Sequence, residues 1–296
     1  MQPAVHSLAA EAGAAEALIA TQGGVTQWTS PAQPAWPVFA RALRRVEGLA
    51  LPLAVLVLWE IAAHQQWLPT QILPPPERVW EVLVDGLAGG ELLHALGVSL
   101  LRVLEGCLIG SVLGLAFGVL LASSRLSEVL LYPTFKALAQ IPTIGWLPLL
   151  MLVFGLEDAL KLVIIAKSSF IPMAFNAFEG VRAIPSPLTE VGTVLRLSLW
   201  QRLRRLVLPG SLPALFTGQR LAISHAWKAM VAVEILVSTD GIGATMLAGR
   251  QFFQLDVVMA CIVVIGVTGF LIDRAFVLVE RRALRWRVVG NAGSQS

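Results

Sequence analysis

Six apolar stretches of about 20 residues each, near 48–65, 97–122, 129–154, 159–179, 211–237 and 257–278, constrain this chain more than any other feature. That length crosses the hydrocarbon of a bilayer as a helix. In lipid no water satisfies a bare backbone group, so each segment must bond internally. The expected fold is therefore all-α, a polytopic membrane bundle of about six transmembrane helices. Composition agrees, since only 14% of the residues are charged and 56% are hydrophobic, whereas soluble domains are nearer one quarter charged. The expected organisation is a flexible cytoplasmic tail over 1–46, a transmembrane domain over 47–288 and a short tail over 289–296. The first forty residues are rich in Ala, Gln, Gly and Pro and lack the basic start and apolar core of a signal peptide.

Several function classes fall away at this stage. A net charge of +3 is too small to argue for nucleic acid. Cys107 and Cys261 lie in expected spans without metal-ligand spacing, so they read as small buried residues and no metal site is expected. His6, His64, His94 and His225 are scattered, and neither a His-Glu-x-x-His pair nor a Gly-x-Ser-x-Gly elbow occurs. Catalysis by this chain alone is not expected. A secondary transporter would favour paired broken helices in two halves, and one Pro-rich break stands out here.

Lys and Arg collect on the cytoplasmic side of membrane helices. Arg41, Arg44 and Arg45 precede the first span, and Arg281, Arg282, Arg285 and Arg287 follow the last. Both termini are thereby placed in the cytoplasm, which demands an even number of crossings. The 181–209 segment carries Arg182, Arg196, Arg202, Arg204 and Arg205 and also falls inside, whereas 66–96 and 238–256 hold one Arg each and fall outside.

Within the spans, Gly106, Gly110, Gly114 and Gly118 line one helix face and predict close approach of another backbone, from this chain or from a second copy. Arg102 and Glu105, three apart, are expected to neutralise each other. The run Gln140, Pro142, Gly145, Pro148 breaks the third span, because each Pro removes a donor. Non-helical backbone at that depth faces protein or a cavity.

The 181–209 segment reads as two short helices. Ser186 and Pro187 offer an N-cap and a first-turn Pro, followed by Leu188, Val191, Val194 and Leu195 at helical spacing. Ser198 opens a capping box with Gln201, and Leu199, Leu203, Leu206 and Val207 form an apolar stripe opposite Arg202, Arg204 and Arg205. Pro209 is expected to end it. Such a segment could lie at the membrane face and attract anionic lipid.

The same segment resembles the coupling loop of ABC importer permeases, here bounded as 183–209. Glu190, Leu206, Leu208 and Pro209 fall in register with that loop, with Val191 and Gly192 in place of two Ala and Arg196 in place of a Gly. Further resemblances are Ile72-Leu73-Pro74-Pro75-Pro76, the Gln140 to Pro148 run with Phe154-Gly155, Leu208 to Pro213, Ala226-Trp227 with Glu234, and Phe253 to Val258. Together they cover about residues 50–288 and narrow the likeness to inner-membrane permeases of the sulfonate, taurine and nitrate type.

The resemblance implies a type I importer architecture: a homodimer or pseudodimer of permeases, two ATP-binding cassette subunits beneath it and a periplasmic solute-binding protein above. ATP and Mg would bind the partner ATPase and no cofactor would bind this chain, which accords with its lack of a Gly-x-x-x-x-Gly-Lys-[Ser/Thr] loop. It implies that Glu190, Val191, Gly192, Arg196, Leu206, Leu208 and Pro209 couple to the ATPase. Because Arg replaces Gly at 196, the turn there is expected to be helical or otherwise compatible with a side chain. Among ionisable or polar groups in spans, Gln140, Pro142, His225, Lys228 and Glu234 are the pathway candidates, with Lys161 and Lys167 on the fourth span as further cations. Lys228 would offset removal of an anion from water, Glu234 is expected to be structural or gating, and His225 to satisfy a neighbour.

Overall fold

A computed structural model describes residues 38–185, 187, 190, 192, 194–237 and 239–284. Every element among them is helical: α1 (Val38–His64), α2 (Pro76–Ala88), α3 (Glu91–Ser123), α4 (Arg125–Ala139), α5 (Leu147–Phe154), α6 (Asp158–Arg182), α7 (Leu199–Arg202), α8 (Leu208–Val237), α9 (Ile242–Gln251) and α10 (Leu255–Ala283). The tails over 1–37 and 285–296, and Ser186, Leu188 and Val191, lie outside the described residues. The first part of α1, to Leu58, belongs to a separate compact unit, and residues from Trp59 onward form the other.

Helices occupy all six expected stretches, but they differ in how well they suit lipid. α3 and α10 are each long and apolar enough to cross a membrane alone. Two bent pairs raise the number to four: α4 with the segment through α5, broken by 94°, and the run ending in α8 with α9, broken by 43°. α6 falls short on composition for a reason visible in its position. It packs between α3 and α8 and buries twelve residues, so its polar Lys161, Ser168 and Ser169 face protein instead of lipid.

The glycine stripe decides that packing, and its partner is α6 of the same chain. A Cβ on Gly110 would overlap the Ala166 carbonyl oxygen, and one on Gly114 would stand 2.6 Å from Phe170 O. No side chain fits between these backbones, so the two helices gain dispersion contact along their whole shared length. On the other flank, Gly180 meets Ala214, and Gly218 meets Asn176. These pairs fix α6 and α8 antiparallel and set Lys167 level with Ala226 and Trp227. Phe117, Tyr132, Phe135, Phe170, Phe175 and Phe178 close the corner between α3, α4 and α6 with ring centroids 4.8–6.2 Å apart.

The break in the third span follows its prolines. α4 ends at Ala139, Gln140 caps it, and Pro142 leads into a 3-10 turn over Thr143–Trp146 before α5 starts with Pro148 in its first turn. A residue before Pro avoids the helical region, and Pro in a first turn sacrifices no internal bond.

Candidate functional site

Two regions at opposite ends of α6, and one between them, gather the polar chemistry of this bundle. At the N-terminal end of α6, Arg102 of α3 reaches Glu234 (3.1 Å), Asp158 (2.8 Å) and Asp240 (2.6 Å). Lys161 adds contacts to Asp158 (2.9 Å) and Asp240 (3.5 Å). The expected Arg102–Glu105 pair is not formed: Glu105 is exposed, and the guanidinium turns inward to three carboxylates. A fork of five donors in a buried position is far better satisfied there than by one neighbour on its own helix.

Glu234 is fully buried, and its surroundings explain how a carboxylate survives. Ser99 Oγ donates to it (2.8 Å), the Gly243 amide donates to it (3.0 Å), and the Ile242 amide donates to Ser99 Oγ (3.0 Å). The first turn of α9 thus presents its free N–H groups to the charge. Gly241 has φ 96, and a Cβ there would stand 2.5 Å from Glu234 Oε1, so only glycine brings the chain this close. Sequence reasoning missed Ser99, Asp158 and Asp240, since the contacts that join them to Arg102 and to the start of α9 span 56 to 143 positions. The glycines after Asp240 were the available signal.

At the opposite end of α6 lies the basic segment. Glu190, Gly192 and Val194 are helical, and the Leu197 amide donates to Gly192 O (3.1 Å). That six-to-one bond, with Arg196 at φ 46 between its ends, is a Schellman motif. The expectation of a side-chain-compatible turn is therefore corrected: Arg196 takes the left-handed conformation that ordinarily selects Gly. The capping box forms as expected, with Ser198 N donating to Gln201 Oε1 (3.0 Å) and Gln201 N to Ser198 Oγ (3.3 Å). Pro209 does not end the second helix. A π turn over Leu203–Val207 widens the helix and delivers the chain into α8, with Pro209 just beyond the widened turn. There its missing N–H is tolerated. The two short helices touch where Gly192 is buried: a Cβ at that position would come within 2.7 Å of Leu206 Cδ1. Glu190, Leu208 and Pro209 are exposed.

The remaining candidates occupy the middle. Gln140 and Pro142 are exposed at the bend, and His225 and Lys228 are exposed on α8. Lys228 lines a groove between α8 and α10 with Arg220, Trp227, Gly269 and Asp273, where Arg220 and Asp273 pair at 2.8 and 3.0 Å. Glu234 belongs to the ionic cluster instead.

Comparison with known proteins adds to this geometry. Residues 110–285 match the family described as binding-protein-dependent transport system inner membrane component. The putative aliphatic sulfonates transport permease protein SsuC of Bacillus subtilis is 33% identical over 82% of this chain and 88% of its own length. The bicarbonate transport system permease protein CmpB of Synechococcus elongatus is 33% identical over 82% and 92%. The taurine transport system permease protein TauC of Escherichia coli is 28% identical over 85% and 92%.

Proposed function

This chain belongs to the binding-protein-dependent transport system inner membrane components, the permease subunits of ABC importers, and from that membership we propose that it forms the translocation pathway for a small anion. An aliphatic sulfonate is the first choice, followed by taurine, nitrate or bicarbonate, because relatives named for sulfonates, taurine and bicarbonate are similar to it over 82–85% of its length. Two copies of the chain form the pathway, a separate ATP-binding subunit docks on each, and a periplasmic binding protein delivers the solute. The termini and the basic segment face the cytoplasm, and the ionic cluster around Arg102 faces the opposite side.

The observation that carries this function is the folded basic segment. A short helix bearing exposed Glu190 ends on a left-handed turn at Arg196 and is locked by Gly192 against Leu206 of a second helix. That second helix runs without a stop through the π turn into α8. A push on the knob is thereby passed to a membrane helix as a rigid displacement, which is what coupling to an ATPase requires. Glu190, Val191, Gly192, Arg196, Leu206, Leu208 and Pro209 are assigned to it. Gln140 and Pro142 are assigned to the pathway at the bend, His225 and Lys228 to its α8 side, and Glu234 to the lock that holds α3, α8 and α9 together.

Proteoliposomes holding the permease, its ATPase and its binding protein test this. Glu190→Ala, or deletion of residues 186–196, is expected to leave the permease inserted while ATP hydrolysis no longer drives uptake. Full uptake by either variant would refute the assignment.

A further inference from the structure

Midway along α6, the ammonium of Lys167 sits 5.3 Å from the centroid of the Trp146 ring. Lys167 Nζ and Trp146 Nε1 are both buried, and neither has a hydrogen-bond partner among the described residues. Lys161, on the same helix, shows what a satisfied buried lysine looks like here, with two carboxylates in reach. A cation over an indole face gains less than the removal of an ammonium from water costs. The indole N–H is a second donor with no acceptor among the described residues. Two adjacent donors without an acceptor form a locally positive site.

Its position is as informative as its chemistry. Lys167 lies nine residues after Asp158, about 14 Å along the helix and so close to the middle of a hydrocarbon core of about 30 Å. Trp146 ends the 3-10 turn of the broken span and is the N-cap of α5, which puts the positive end of that helix at the same spot. The packing register sets Lys167 level with Ala226 and Trp227 on α8.

We propose that Lys167 and Trp146 form an anion subsite at the middle of the pathway, taking a singly charged oxyanion head group such as a sulfonate through the ammonium and the indole N–H. The subsite rests on the transport function proposed above. In the conformation described both donors are covered, so the head group reaches them when the break between α4 and α5 shifts against α6. Specificity at this point comes from charge and from one directed hydrogen bond.

The test uses proteoliposomes of the full complex at saturating loaded binding protein, so that capture by that protein does not limit the rate. Ethanesulfonate, taurine, nitrate and bicarbonate are supplied separately. Trp146→Phe keeps a ring beneath the ammonium and removes the N–H. Its uptake rate is expected to fall about tenfold, the loss of one hydrogen bond to a charged group, with assembly and basal ATP hydrolysis unchanged. Lys167→Gln is expected to fall at least as far and Lys167→Arg to retain most of the rate. Wild-type uptake by Trp146→Phe and Lys167→Gln would overturn the subsite and leave the importer function standing. If Lys167→Gln fails to assemble, Trp146→Phe decides alone. If the wild-type complex imports none of the four anions on ATP, the proposed function fails and the subsite fails with it.

Discussion

Arg196→Gly should strengthen the basic segment proposed to couple to the ATPase, although it deletes a charge and the whole side chain. Arg196 occupies the left-handed position of a Schellman motif at φ 46. A residue with a Cβ pays about 1–2 kcal/mol there, whereas Gly has no such clash but loses about 0.5–1 kcal/mol more backbone entropy on folding. The net gain is about 0.5–1 kcal/mol, which corresponds to a two- to fivefold change in a local opening equilibrium. The Leu197 amide, bonded to Gly192 O at 3.1 Å, reports that opening directly. Hydrogen exchange at this amide is expected to slow two- to fivefold in Arg196→Gly. Arg196→Ala removes the same charge without relieving φ, so it isolates the backbone effect from the interaction of a cation with the helix C-terminus. Arg196→Val, with its branched Cβ, is expected to speed exchange. Equal protection in the Gly and Ala variants would refute the backbone reasoning.

Gly110→Ala places a methyl group on the Ala166 carbonyl, and it is expected to destabilise the purified permease by about 1–3 kcal/mol. Gly97→Ala on the same helix meets nothing within 4 Å and serves as the control; equal thermal midpoints for the two would rule out the close α3–α6 approach. Arg102→Ala leaves buried Glu234 without its cation and is expected to cost about 3–5 kcal/mol in denaturant unfolding. Addition of Glu234→Gln should restore part of that loss, because an amide still bonds Ser99 and carries no charge; strictly additive effects of the two substitutions would show that they do not interact.

Much of this molecule was legible in one dimension because the rules concerned are local. Apolar runs of membrane length, the capping box at Ser198 and Gln201, the prolines that break the chain near Gln140 and the four-residue glycine spacing each act within a few turns of backbone. Within the basic segment, two local readings still failed. Pro209 looked like a helix stop, but a π turn placed it where a missing amide does no harm. Arg196 looked incompatible with a left-handed turn, yet the Schellman bond and the packing of Gly192 on Leu206 hold it there.

The sequence by itself determined that the chain is a bundle of membrane helices with a basic, doubly helical knob, since length, hydropathy and capping are written in neighbouring residues. Only the tertiary structure decided which helix the glycines face, that Arg102 ignores Glu105 for Glu234, Asp158 and Asp240, and that Lys167 and Trp146 meet with their donors unclaimed among the described residues. Those outcomes depend on backbones that approach from far along the chain. A buried charge takes whichever partners that approach supplies, and spacing in sequence carries no record of them.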